Sequence, residues 1–243
     1  MALNGTNTTV TGNMHSNGNI IAGTNLTISG IASAVGTITC NDSTQTVPNK
    51  QEKVSAMYES TKIDIAQLKG TSIKITNKII NQFNSDEYNS GNYSGEIHIY
   101  NYGTYRMTFK TFNALVEYLD ADTTLYFDNA VAFDGQGGAM HGGLIADGDI
   151  SFNGWGMSMS SDMGDICFVS TTGNINYNGG LSGSTGIVLA PKGKVSINGS
   201  NFHLEGCIIA KQIEINGSYH EFIYNEDAFH WLSSEHTQVK LVK

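Results

Sequence analysis

The chain has 243 residues, with 28 Gly but only 2 Pro, charged residues at 14% and a formal net charge of −9. One arginine, Arg106, and a pI of about 5.1 leave no cluster of Lys and Arg to hold a phosphate backbone, so nucleic acid is not an expected partner. A hydrophobic content of 40% is too high for a disordered chain, and no run of 18 apolar residues marks a membrane-crossing helix.

From the N-terminus, residues 1–47 read as short strands. Val10-Thr11-Gly12-Asn13-Met14, Ile20-Ile21-Ala22, Leu26-Thr27-Ile28-Ser29-Gly30 and Val35-Gly36-Thr37-Ile38-Thr39 are separated by turn residues. Cys40 belongs to a set of three with Cys167 and Cys207. Their number is odd and their spacing is not CxxC, so each reads as a small buried hydrophobe.

Residues 48–123 change in character and hold most of the lysines and tyrosines. A helix is expected from Val54 towards Leu68, stopped by Gly70. Ser85 to Gly95 reads as a polar loop and Glu96-Ile97-His98-Ile99-Tyr100 as a strand. Phe109 to Leu119 has apolar residues at helical spacing. This stretch is expected to be an α+β insertion.

Residues 124–225 return to strands and carry a repeat. The units are Leu144-Ile145-Ala146 with Ile150-Ser151-Phe152-Asn153-Gly154; Phe168-Val169-Ser170 with Ile175-Asn176-Tyr177-Asn178-Gly179; Val188-Leu189-Ala190 with Val195-Ser196-Ile197-Asn198-Gly199; and Ile208-Ile209-Ala210 with Ile213-Glu214-Ile215-Asn216-Gly217. Each holds an apolar pair, a small residue, a turn, an alternating strand and Asn-Gly. The interval between successive Asn-Gly pairs shortens along the chain but stays near the length of one strand-and-turn rung of a solenoid. Such a unit cannot bury its apolar face alone, but stacking on the next at about 4.8 Å does so. The expected fold is therefore mainly β, a right-handed parallel β-helix with the α+β insertion at its side or end. Ile20-Ile21-Ala22 is expected to repeat the apolar pair of the later units. Residues 226–243 are expected to cap the open end with a short helix N-capped by Asn225.

This repeat assigns structural roles. Ile150, Phe152, Ile175, Tyr177, Val195, Ile197, Ile213 and Ile215 are expected to point inward. Asn153, Asn178, Asn198 and Asn216 are expected at equivalent corners, where Asn tolerates left-handed φ and stacked amides bond to one another. Ser151, Asn176, Ser196 and Glu214 fall on the outer face.

Asp147, Asp149, Asp162 and Asp165 read first as turn residues bonding their own backbone. Their alternative roles are a Ca²⁺ site or a glycosidase pair. No cofactor is expected unless it is that Ca²⁺. Arg106 is the one candidate for a lyase base, and its place in the insertion beside Tyr105 and Met107 favours a surface or packing role. His203 and His220 lie close to one repeat apart, near enough in spacing to stack. Tyr88, Tyr93, Tyr102 and Tyr105 are candidates for binding sugars or protein.

Gly12-Asn13-Met14-His15-Ser16-Asn17-Gly18, Asn25-Leu26-Thr27-Ile28-Ser29-Gly30 and Ala190-Pro191-Lys192-Gly193-Lys194-Val195-Ser196-Ile197-Asn198-Gly199 resemble the ectodomains of bacterial pilus-assembly proteins, relatives of minor pilins and of the Tad-type secretion apparatus. The resemblance covers about half the chain, the two repeat-bearing parts. It implies a β-helix displayed outside the cell behind an upstream pilin-like membrane helix, with no catalytic residues to carry over. The expected function is a non-catalytic extracellular structural or binding module, pilus-associated or adhesive, whose partners are other surface or pilus proteins or glycans. Any membrane contact would come through that upstream segment. The alternative is a carbohydrate-active enzyme, a polysaccharide lyase or glycoside hydrolase, on the same fold.

Overall fold

The computed structural model describes residues 1–40, 47–54, 64–91, 95–120, 124–159, 168–179 and 181–225. The chain is mainly β, dominated by a large sheet of 17 mostly parallel strands. Among the described residues only His98–Ile99 and Tyr105–Met107 pair antiparallel.

Most of the strands in the repeats span three residues, too few to be stable without neighbours. Their alternation sets which residues are buried. Ile150 and Phe152 are buried around Ser151, and Ile175 and Tyr177 around Asn176. Parallel pairing then aligns equivalent residues. One ladder runs Ile73, Leu125, Leu144, Phe168, Val188, Ile208. A second runs Tyr105, Val131, Ile150, Ile175, Val195, Ile213.

In the first ladder both faces are covered. Ile145, Val169 and Leu189 are as buried as Leu144, Phe168 and Val188 beside them. That accounts for the paired apolar residues at these positions, because a strand covered on both faces loses its alternation.

Sheet order departs from chain order. Leu3 pairs with Ile215 on one side and Ala22 on the other. Thr6–Thr11 lies between Ser218–Ile223 and Thr24–Ile28. The last described strand is therefore not an open end, since the chain's own N-terminus covers it. The residues expected to form a cap, 226–243, lie outside the described ones.

The register also corrects the expected alignment of Ile20-Ile21-Ala22. It continues the line of Ile213-Glu214-Ile215 through Met1-Ala2-Leu3, not the line of Ile208-Ile209-Ala210. Ile21 is correspondingly 43% exposed, whereas Ile145 is 2%. An Ile-x-Ala triplet with one apolar face fits either line, and only the pairing decides.

Gln51 lies beside Ser33 in a separate three-stranded sheet, and Ile73 beside Leu125 in the large one. Much of the helix expected from Val54 lies outside the described residues. Helix α1 (Ile65–Gly70) covers its end, with Ile65 and Leu68 packed against the core. Helix α2 (Asn77–Ser90), N-capped by Thr76, covers much of the stretch expected to be a polar loop, and buries Ile80 and Phe83. Helix α3 (Phe109–Tyr118) is N-capped by Thr108 and sets Phe109 and Phe112 edge-on against Phe133.

Candidate functional site

The four Asn-Gly corners align. Asn178 Nδ2 donates to Asn153 Oδ1 at 3.0 Å, Asn198 to Asn178 at 3.0 Å, and Asn216 to Asn198 at 2.9 Å. Two residues beyond the sequence repeat extend the ladder. Asn4 donates to Asn216 at 3.1 Å, and Asn153 donates to Asp134 at 3.1 Å. Every amide therefore points its N–H the same way, towards one carboxylate. Aligned bonds of this kind polarise one another. Arg106 closes the chain, its Nε donating to Asp134 Oδ2 at 2.8 Å while its guanidinium lies 5.0 Å from the Tyr100 ring. The side chain considered as a lyase base is thus held in an ion pair.

Sequence reasoning missed a second Asx series. Asp149 Oδ1 accepts from Asn174 N at 2.7 Å, and Asn174 Oδ1 from Lys194 N at 2.8 Å. Asn13 accepts from Ile31 N at 2.9 Å, and Asn19 from Thr37 N at 3.0 Å. The signal for it is Gly-Asp or Gly-Asn one or two residues before a strand: Gly148-Asp149, Gly173-Asn174, Gly12-Asn13 and Gly18-Asn19. Each side chain bonds the backbone of the neighbouring repeat, so Asp149 bonds Asn174 rather than the backbone of its own turn.

Asp147 is a junction. Tyr126 Oη donates to its Oδ2 at 2.5 Å, Thr171 Oγ1 to its Oδ1 at 2.6 Å, and Lys69 of α1 forms an ion pair with it. Partial burial pushes the carboxyl pKa up, but the bonds from Lys69, Thr171 and Tyr126 outweigh this and hold it below its ordinary value. This junction fastens α1 to the sheet. Asp162 and Asp165 lie outside the described residues. Among the described residues no group of three or more His, Cys, Asp and Glu is placed to hold a metal.

The four candidate tyrosines separate. Tyr88 and Tyr102 are 74% and 98% exposed. Tyr93 lies outside the described residues. Tyr105 is not a surface residue: it is 5% exposed, its ring is 5.1 Å from Phe127, and its hydroxyl donates to Asp128 at 2.7 Å. Burial, with the Asp128 carboxylate beside it, raises the Tyr105 hydroxyl pKa well above the ordinary value. Parallel pairing with Val131–Phe133 draws it inward, a contact between segments distant in sequence.

Of the eight core candidates, Ile150, Phe152, Ile175, Tyr177, Val195, Ile197 and Ile215 are buried, and Ile213 is half-buried against the same core. Ser196, assigned outward, is also buried. His203 and His220 do not stack. His203 pairs in register with Glu221 and bonds its carboxylate at 2.9 Å, whereas His220 is buried. Cys40 and Cys207 are half-buried and free, and Cys167 lies outside the described residues. Burial pushes the Cys207 thiol up to about 12, so it is not a thiolate nucleophile at neutral pH.

One backbone irregularity stands out against these ladders. Asn201, Tyr219, Asn7 and Asn25 occupy equivalent corners with φ of 59°, 60°, 53° and 55°. Asn suits that conformation and Tyr does not. Tyr219→Asn is expected to stabilise the protein by about 1 kcal/mol. The check is the urea midpoint, and a fall in that midpoint would show that the tyrosine ring contributes more than its backbone costs.

The chain matches no protein-family profile, no curated protein sequence and no solved structure.

Proposed function

We propose that the chain forms a right-handed parallel β-helix and serves as a non-catalytic extracellular structural or binding module, pilus-associated or adhesive, with surface proteins or glycans as partners. The fold reading is supported by parallel registers in which each strand pairs with its counterpart one repeat later, through the same inward side chains. The functional reading rests on the display of Tyr102. This residue is 98% exposed and sits at φ 66°, where a tyrosine is strained. Asn129 Nδ2 fixes the turn by donating to the Tyr102 carbonyl at 2.7 Å, and Tyr100 stands beside it, 52% exposed. An exposed ring on a turn held in this way suits stacking on a sugar or filling a pocket on a partner protein.

The resemblance to pilus-assembly ectodomains supplies the location, with any membrane attachment coming from an upstream segment. Against the enzyme alternative stand the engagements of Arg106 with Asp134 and of Asp147 with Lys69, which occupy the groups a lyase or glycosidase would use. Glycan arrays and surface-protein pull-downs provide the test. Tyr102→Ala is expected to weaken the captured interaction at least tenfold, about 1.4 kcal/mol, with unchanged thermal stability. Full binding by the variant, or turnover of a polysaccharide by the wild type, would remove the basis for this reading.

A further inference from the structure

Strands from the two ends of the chain meet at one joint, Ala2–Leu3 against Glu214–Ile215 and Thr6–Thr11 against Ser218–Ile223. Its interior differs from the rest of the core. His220 is 2% exposed and pairs in register with Thr8, also 2% exposed. His220 Nε2 bonds the Asn216 carbonyl at 3.0 Å, while His220 Nδ1 and Thr8 Oγ1 are buried with no hydrogen-bond partner among the described residues. Elsewhere along these strands the buried positions are held by Leu3, Val10, Leu26, Ile28, Phe202 and Leu204.

Among the described residues, the surroundings offer a charged imidazole no counter-ion. The N-terminal strand Ala2–Thr11 and its next neighbour Ile20–Ile28 contain no titratable side chain. On the other side, Phe202 and Leu204 face inward, with Phe222 on the histidine's own strand at 6.4 Å between ring centroids. Of the charged groups on the adjoining strands, His203, Glu205 and Glu221 bond to one another outside, Glu214 pairs with Lys194, and Lys211 is exposed. The first three tie Ser218–Ile223 to His203–Glu205, not to the N-terminal strand.

We propose that this joint is an acid-labile seam: protonation of His220 breaks the pairing between Ser218–Ile223 and Thr6–Thr11 and releases the N-terminal strands as a block. Charging the ring places an uncompensated cation in an apolar layer, and the chain has no local connection there to hold the two sides together. The sign follows from linkage. Burial lowers the His220 pKa below 6.5, so the seam is fully stable above that value and loses stability as pH falls through the folded-state value.

Hydrogen exchange at pH 7.5 and pH 5.0 tests this on the full chain. Peptides covering 2–11, 20–28 and 218–223 are expected to lose at least tenfold in protection at the lower pH, while 175–177 and 195–197 keep theirs. His220→Gln, which retains a donor for the Asn216 carbonyl but does not titrate, is expected to remove the difference. Equal acid loss in wild type and variant, or loss spread evenly through the stack, overturns the proposal. If the variant does not fold, the His220 C2–H resonance of the wild type decides: its protonation must coincide with exchange in 2–11, and a separate midpoint rejects the seam.

Discussion

Phe152→Ala is expected to destabilise the protein by about 3–5 kcal/mol, a fall of roughly 10 °C in Tm for a chain of this size. Phe152 is fully buried and stacks on Phe133 at 5.3 Å and on Tyr177 at 4.8 Å, with interplanar angles of 5° and 9°. Phe168 and Phe109 meet it edge-on at 4.8 and 6.1 Å. Removing the ring therefore opens a cavity between two repeats whose spacing is set by backbone hydrogen bonds, so the walls cannot close on it. Urea denaturation followed by far-UV CD measures the loss. A change below about 1 kcal/mol would mean that neighbouring layers collapse into the gap.

Gly179→Ala is expected to cost about 3 kcal/mol for the opposite reason. A Cβ there would lie 1.6 Å from the Gly154 carbonyl oxygen of the preceding repeat and 2.7 Å from its carbon. Both are backbone atoms, so only a shift between repeats relieves the clash. Gly217 stands the same way over Gly199, with 1.8 Å to its oxygen. A Cβ on Gly18 would meet none of the described atoms within 4 Å, so this glycine serves as the control. Gly18→Ala is expected to stay within about 0.5 kcal/mol of wild type. Comparable losses at both positions would show that close approach to the preceding repeat does not set the effect, since the entropy change of Gly→Ala by itself stabilises.

These glycines show what a single sequence reveals and where it stops. Asn178-Gly179 and its companions are legible because they recur beside a period-two alternation, and a recurring dipeptide at one corner implies stacking. The direction of the amide ladder is not legible, because its carboxylate end, Asp134, is followed by Gly135 but belongs to no recognised repeat. Asn77–Ser90 reads partly as loop because Asn and Ser favour turns. Packing of Ile80 and Phe83 overrides that preference. Ile20-Ile21-Ala22 falls one strand out because its letters match two lines of the stack equally well. Tyr105 looks like a surface aromatic among polar neighbours, and only its pairing with Val131 draws it in. In each case the missing information is a partner far away in the chain.

Of the described strands, those nearest the N-terminus are translated first, yet one of their flanks is translated after all the others. Ala2 waits for Glu214, and Thr6–Thr11 for Ser218–Ile223. Until then a nascent chain carries Leu3 and Val10 on an unsatisfied strand edge, the kind of surface that recruits other chains. Closing a contact between Ala2 and Glu214, across nearly the whole chain, is also slow compared with stacking one repeat on the next. A ribosome stalled anywhere before Glu214 would hold an internal stack free to assemble beside N-terminal strands with no place to dock. A circular permutant opened between Gln51 and Ile73 would have Ser218–Ile223 synthesised before Thr6–Thr11, so that the N-terminal strands would emerge with that flank already made to dock on.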